Sequence, residues 1–167
     1  FLKEGPKEAK VVFSGDLGNS PALIIRPTEE IPKPDYCLIE STYGNRIHEG
    51  VDERQGELED AIEDVVKSGG TLLIPAFAME RTQDLLYHLN ALVERGRIPR
   101  IPVFIDSPLA IKLTEVYTRY DRYFAPEMRS RLSGGKPFFN IPNLHQTLTT
   151  EASKSINSTL DLDKLLS

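Results

Sequence analysis

The sequence predicts an α/β fold in which a mostly parallel sheet is flanked by helices. Short apolar runs alternate with stretches of helical periodicity through the middle of the 167-residue chain. The runs Tyr36–Ile39, Thr71–Pro75 and Ile101–Ile105 are bounded by turn residues, as buried strands are. An alternation of strands and helices is typical of parallel strands joined by right-handed crossovers.

Each of the main predicted helices has one apolar face and a residue that is typical of a helix N-terminus or C-terminus. Apolar residues recur at helical spacing over residues 53–68, and Gly69 follows as a stop. A second apolar stripe spans residues 85–93 and ends before Gly96. Ser107 as N-cap and Pro108 at the first helical position predict a third helix that extends to about residue 117. The pattern weakens afterwards, and shorter helices are predicted near residues 127–132 and 151–160.

Composition places the chain among globular proteins, with 40% hydrophobic and 27% charged residues. No apolar segment approaches the roughly 18 residues of a membrane span, so no membrane partner is expected. The net charge of −5 argues against broad non-specific binding of nucleic acid, although it leaves room for a local basic groove. Cys37 is the one cysteine and lies in an apolar run, which predicts a buried, unreactive thiol and a reducing, cytoplasmic setting. The first residues lack a signal-peptide pattern and an initiator methionine, so we expect a piece of a longer protein.

Two carboxylates follow predicted strands directly. Glu40 ends an apolar run and is followed by Ser41 and Thr42, while Asp16 lies in the glycine-flanked turn Ser14–Gly18. In open α/β sheets, ligands bind beyond the carboxyl ends of the strands. Each carboxylate also fits a structural role, in a salt bridge for Glu40 and in an ordinary turn for Asp16.

Two further positions predict affinity for phosphate at the same edge of the sheet. Ser107 begins a helix, whose first N–H groups and positive dipole end suit an anion. Arg81, early in the preceding helix, could contact a phosphate through two donors. The alternative for Arg81 is an ion pair with Glu40, Glu80 or Asp84.

The three histidines do not form a metal motif. Zinc needs three or four well-placed ligands, and the spacing of His48, His88 and His145 provides no local cluster. His48 lies close to Arg46 in the loop after Glu40, where both could support the crevice or simply hydrogen-bond within the loop. His88 is expected to pack at a boundary, and His145 to lie solvated in a loop. The residues alone therefore indicate an α/β domain that suits phosphate.

Five ordered motifs resemble those of β-CASP proteins, the nucleic-acid-processing branch of the metallo-β-lactamase superfamily. The Ser14–Gly18 segment resembles the strand-end aspartate motif of the superfamily, and Glu40–His48 looks like the entry to a β-CASP domain. The other three motifs are residues 70–83, 106–110 and 153–157. The resemblance implies that residues 1–35 are a short segment of a metallo-β-lactamase αββα domain. Residues 36–167 would then be a β-CASP domain, incomplete at its C-terminal end.

The resemblance implies a zinc-dependent ribonuclease, similar to the RNA 3′-end-processing and ribonuclease J groups. In such enzymes two zinc ions activate water for attack on a phosphodiester. Asp16 matches the aspartate that bridges both metals, and Glu40 matches the first β-CASP acidic motif, which orients a later histidine. Ser107, together with Arg81 and the hydroxyls after Glu40, would contact the phosphates. Single-stranded RNA is the implied partner, and the full-length protein is a possible homodimer.

The sequence departs from the family pattern because the His-x-His-x-Asp-His ligands and the later β-CASP histidines are not among its residues. We therefore expect this fragment to be inactive and largely free of zinc. A non-catalytic RNA-binding or scaffold subunit of the same fold is the alternative, and a domain that binds nucleotides or small phosphates is a third. The geometric expectation is that separate strands bring Asp16, Glu40 and Ser107 to one rim.

Overall fold

The computed structural model describes residues 1–17, 22–31, 33–47, 50–135 and 139–159. The strands are β1 (Leu2–Glu4), β2 (Lys7–Ala9), β3 (Val11–Phe13), β4 (Tyr36–Leu38), β5 (Val103–Ile105) and β6 (Leu144–Gln146). The α-helices are α1 (Val51–Ser68), α2 (Arg81–Glu94), α3 (Pro108–Arg119), α4 (Pro126–Ser133) and α5 (Thr150–Thr159), with a 3-10 turn at Asp121–Tyr123.

The strands form three two-stranded sheets in the described ranges. Strands β1 and β2 form an antiparallel hairpin, whereas β3 pairs with β4 and β5 pairs with β6 in parallel. A parallel pair requires a crossover connection, and α3 and α4 lie in the connection between β5 and β6. The predicted α/β class, with parallel strands flanked by helices, is confirmed.

The prediction of a strand at Thr71–Pro75 is wrong. No strand is assigned to these residues, and Leu73 is 56% exposed. A strand needs a neighbour that accepts and donates its ladder hydrogen bonds, and no described strand pairs with this segment. The apolar run instead contributes Leu72 to the core beside it.

The helix boundaries follow their start and stop signals. Gly69, at φ +68°, ends α1: its N–H donates to the Val66 carbonyl, and the next N–H donates to Val65. This is the Schellman arrangement, and its left-handed residue favours glycine. At the start of α3, the Ser107 hydroxyl accepts a hydrogen bond from the Ala110 N–H at 3.2 Å. Among the described residues, none of the helices combines the length and the hydropathy needed to cross a membrane.

The main core lies between α1, α2, α3 and β5. Its buried members are Ile62, Leu86, Leu89, Leu92, Ile98, Ile105, Ala110, Ile111 and Ile141. Arg97 also donates to the Glu59 carboxylate at 2.7 Å, which ties the end of α2 to α1. A second, smaller cluster packs Ile24 against Phe124 and joins the segment before β4 to the end of α3. Burial of these apolar side chains holds the helices around β5.

The sheet formed by β3 and β4 is exposed, contrary to the prediction of a buried strand. Phe13, Tyr36 and Leu38 are each more than half exposed, and Cys37 is exposed as well. The prediction failed because strand periodicity does not reveal how many layers cover a sheet. Among the strands that the structure describes, β3 and β4 pair with each other alone. The Cys37 thiol is therefore accessible in this structure.

Candidate functional site

The Asp16 loop and Glu40 are joined by hydrogen bonds in both directions. The parallel register pairs Phe13 with Leu38, so β3 and β4 end side by side. The Leu17 N–H donates to Glu40 Oε1 at 2.6 Å, and the Glu40 N–H donates to Ser14 Oγ at 3.0 Å. The predicted proximity of these two strand ends is therefore present in the structure.

These contacts hold the loop that carries Asp16 against Glu40. A hydrogen bond from a backbone N–H to an ionised carboxylate is stronger than one between neutral groups. Gly15, at φ +56°, makes the turn that sends the chain from β3 toward Glu40. The Asp16 side chain is exposed. Within the described ranges no protein donor contacts its carboxylate, so its oxygens can bind a ligand.

The loop after Glu40 consists of two consecutive turns. The Gly44 N–H donates to the Ser41 carbonyl at 3.0 Å, and the Arg46 N–H donates to the Tyr43 carbonyl at 3.2 Å. Ser41, Thr42 and Arg46 are all exposed, so the loop presents two hydroxyls and a guanidinium to solvent. The predicted supporting residue His48 lies outside the described residues.

Ser107 lies at the end of β5, where its hydroxyl caps α3. Asp106, the residue before Ser107, joins three elements through hydrogen bonds that the sequence analysis did not predict. Asp106 accepts hydrogen bonds from Thr147 Oγ1 at 2.6 Å and from Ser153 Oγ at 2.8 Å. It thereby joins the end of β6 and the first turn of α5 to the start of α3. Two features of the sequence could have predicted this junction: an aspartate at a strand end and the hydroxyl-bearing side chains of the 153–157 motif.

Arg81 begins α2 directly after a strained residue. Glu80 has φ +67° and ψ −62°, and the Arg81 N–H donates to the Met79 carbonyl at 2.8 Å. These values define a γ-turn of the rare, strained kind. The Arg81 side chain is exposed, and no ion pair to Glu40, Glu80 or Asp84 forms within the described part of the chain. Its guanidinium therefore remains able to bind an anion.

Replacing Glu80 with glycine is expected to raise the free energy of unfolding by about 1 kcal/mol, because glycine adopts positive φ without the Cβ clash. Glu80→Ala removes the same carboxylate but keeps a Cβ, so it serves as the matched control and should show no such gain. Urea unfolding of the three proteins, followed by circular dichroism, measures the difference. Equal stability of the glycine and alanine variants would show that the turn is not strained.

The helix that begins at Arg81 carries titratable groups with perturbed pKa values. Burial raises the pKa of Asp84 to about 6, the negative charge of Glu80 adds to the increase, and Arg81 and Arg54 oppose it. Burial also lowers the pKa of His88, with Arg54 adding to the effect. His88 is partly buried, as predicted, and belongs to this polar cluster between α1 and α2. The charge of Arg81 thus acts on Asp84 without a direct ion pair.

The structure brings together two of the predicted positions and leaves the others in different elements. Asp16 and Glu40 share the end of the β3–β4 sheet, whereas Ser107 follows β5 in a separate sheet. In the described ranges these residues therefore do not follow strands of one sheet, and the expectation that they share one rim stays a prediction. No hydrogen bond or ion pair in the described ranges links Glu40 to Ser107 or Arg81. The roles assigned to these residues stay predictions.

The donor set for a metal is incomplete among the residues that the structure describes. No group of three or more histidine, cysteine, aspartate or glutamate side chains is close enough to hold an ion there. Asp16 supplies one exposed carboxylate, which suits zinc as a single ligand but does not make a site.

Comparison with known proteins agrees with the motifs. Residues 82–164 match the Beta-Casp domain family. Ribonuclease TTHA0252 of Thermus thermophilus is 38% identical over 147 residues, which cover 88% of this chain and 34% of that protein. Cleavage and polyadenylation specificity factor 73 of Drosophila melanogaster is 32% identical over 139 residues, which cover 81% of the chain and 20% of that protein.

A third relative, the transcription termination factor FttA of a Lokiarchaeum species, is 30% identical over 160 residues, covering 92% of the chain and 24% of that protein. The chain thus spans about a third or less of the length of these relatives. The family match, the named relatives and the paired Asp16 and Glu40 loops all agree with the motifs quoted above. The chain belongs to the β-CASP family of RNA-processing nucleases in the metallo-β-lactamase superfamily.

Proposed function

We propose that the full-length protein is a zinc-dependent ribonuclease that hydrolyses phosphodiester bonds of single-stranded RNA in RNA processing or decay. The observation that carries the proposal is the 2.6 Å hydrogen bond from the Leu17 N–H to Glu40. It holds the loop of an exposed aspartate beside Glu40, the carboxylate whose surroundings resemble the first β-CASP acidic motif. The names of the relatives support RNA as the substrate class.

Asp16 is proposed as one zinc ligand among several. Its carboxylate is exposed, and its loop is held from two sides, by Glu40 and by the Thr28 hydroxyl, which donates to the Leu17 carbonyl at 3.3 Å. A ligand whose backbone is already fixed loses little freedom when it binds a metal. When bound, a zinc pair would activate water and neutralise the charge that develops on the phosphate.

The remaining proposed roles concern the substrate. Ser41 and Thr42 present hydroxyls directly after Glu40, and Arg81 presents a guanidinium at the start of α2. Ser107 uses its hydroxyl as a cap, so its contribution to RNA binding would come from the N–H groups of the first turn of α3. These groups would bind and orient the phosphate backbone. A homodimer and a cytoplasmic location stay predictions.

The 167-residue chain alone is proposed to be inactive, because its described residues supply one zinc ligand instead of the three or more that a site needs. We expect the full-length protein to bind zinc tightly and to cleave a labelled single-stranded RNA, with cleavage abolished by a chelator and restored by zinc. The isolated chain should bind zinc only weakly in a calorimetric titration and leave the RNA intact.

Two results would contradict the proposal. Tight zinc binding by the isolated chain would show that its residues form a complete site. RNA binding without cleavage by the zinc-loaded full-length protein would instead identify the non-catalytic RNA-binding subunit.

A further inference from the structure

A hollow of about 320 Å³ opens between the end of α3 and the segment before β4. We call it the tyrosine hollow. Its lining is apolar and largely aromatic, and consists of Ile25, Val116, Tyr117, Tyr120, Tyr123 and Phe124. Phe124 is buried at 2% exposure, whereas Tyr120 and Tyr123 are 45% and 54% exposed. The hollow therefore has a packed floor and two accessible rings.

Arg122 lies over both rings, and two further arginines lie on the segments beside it. The Arg122 guanidinium carbon lies 4.9 Å from the centre of the Tyr123 ring and 5.7 Å from that of Tyr120. Arg26 donates to the Arg122 carbonyl at 2.8 Å, and Arg119 lies in the last turn of α3. All three arginines are exposed, and Asp121 lies among them. The carboxylates of Glu80 and Asp84 act instead on the Tyr117 hydroxyl. Positive charge is thus concentrated next to Tyr120 and Tyr123, in a chain whose net charge is −5.

The hollow is also fixed in shape by backbone contacts. Ile25 forms a β-bridge with Phe124. The Arg26 N–H donates to the Tyr123 carbonyl at 3.1 Å, and the Ala125 N–H donates to the Ile24 carbonyl at 2.9 Å. A site held in this way needs little ordering when a ligand enters.

From these features we infer that the tyrosine hollow binds an unpaired base of single-stranded RNA while the arginines beside it hold the adjoining phosphates. Aromatic rings and planar guanidinium groups are the surfaces on which unstacked bases stack, and the positive charge matches the RNA backbone. A protein side chain would use the apolar floor but would not require three arginines beside it. The inference rests on the proposed function, since it supplies a contact for the same substrate outside the Asp16 and Glu40 loops.

The test is a pair of double variants of the full-length protein. Tyr120→Ala with Tyr123→Ala removes both rings, and Tyr120→Phe with Tyr123→Phe keeps them. Stacking contributes roughly 1–3 kcal/mol per base, so the alanine pair should weaken binding of a fluorescent oligouridine about 5- to 150-fold. The phenylalanine pair should retain wild-type affinity. Tyr36→Ala, which removes an exposed ring on β4, is the matched control and should bind as the wild type does.

A second readout uses the composition of the chain, which has six tyrosines and no tryptophan. In the 167-residue segment, base stacking should quench tyrosine emission when oligouridine is added, and an oligomer of abasic nucleotides should not quench it. Quenching that is unchanged in the phenylalanine pair, which lacks both fluorophores, would overturn the inference.

The affinity outcomes separate this inference from the proposed function. If the alanine pair keeps both its oligouridine affinity and the circular dichroism spectrum of a folded protein, the inference is overturned. That result would indicate that the hollow binds a protein side chain instead. An equal loss in the phenylalanine pair would overturn it too, because the rings would then not be the source of binding. Loss in the alanine pair alone, in a protein that cleaves no RNA, would support the inference while the proposed ribonuclease fails.

Discussion

Glu40→Ala in the full-length protein is expected to lower the rate of RNA cleavage by about 100-fold or more while leaving the fold intact. The Glu40 carboxylate accepts the Leu17 N–H, and its removal frees the loop that carries Asp16. A shift of about 1 Å in a group at the reacting centre is enough for a loss of this size. Glu40 is exposed, so the substitution creates no cavity. Single-turnover cleavage of a labelled RNA measures the rate.

Two further variants show how Glu40 acts. Glu40→Gln keeps an oxygen that can accept the Leu17 N–H but removes the charge, so its rate should lie between those of the alanine variant and the wild type. Glu30→Ala removes an exposed carboxylate from the connector before β4 and should leave cleavage unchanged. If Glu40→Ala cleaves at the wild-type rate, then neither loop positioning nor orientation of a later histidine depends on this residue.

The largest effect on stability is expected from Ile111→Ala, which should lower the free energy of unfolding by about 2–5 kcal/mol. Ile111 is 1% exposed and lies in the core formed by α1, α2, α3 and β5. Truncation removes buried methyl groups and leaves a cavity that closely packed neighbours cannot fill. Because α3 begins at the Ser107 cap, the same substitution should also destabilise the start of α3, where the Asp106 and Ser107 hydrogen bonds lie. Urea unfolding followed by circular dichroism gives the value.

Leu109→Ala is the matched control on the same helix. Leu109 is 61% exposed, so its truncation removes little buried area and should change stability by less than about 0.5 kcal/mol. Similar losses for the two substitutions would mean that α3 does not pack against the core through Ile111.

Local signals predicted the helices well. Gly69 ends α1 in a left-handed conformation, and Ser107 with Pro108 begins α3. These signals depend on only a few neighbouring residues, so a single sequence reveals them. The predicted end of α3 near residue 117 differs from the observed Arg119 by one half-turn, which is the usual uncertainty at a helix end.

The strands were harder to predict because pairing depends on residues that are distant in sequence. Strand β6 has three residues, too few to show a period of two. The sequence predicts a loop here, with His145 solvated within it. In the structure His145 is exposed on β6, but its ring stacks on Phe104 at 4.9 Å. The Thr71–Pro75 run has the composition of a strand, but no strand in the described ranges pairs with its backbone.

The site was predictable in its residue types but not in its contacts. The position of a carboxylate directly after an apolar run indicates Glu40 as a site residue, and the flanking glycines indicate Asp16. The hydrogen bond that joins Glu40 to Leu17 spans 23 positions and depends on the parallel register of β3 and β4. No local pattern encodes that register. The junction at Asp106 was missed for the same reason, since Ser153 lies 47 positions away.

The central claim is that Asp16 and Glu40 act together at one site. A double-mutant cycle on RNA cleavage by the full-length protein, with Asp16→Asn, Glu40→Ala and the combination, tests it most directly. Once the Asp16 carboxylate is lost, its loop no longer needs Glu40, so the double variant should be about as slow as Asp16→Asn alone. If the two losses multiply instead, the residues act independently and the joined loops do not form one site.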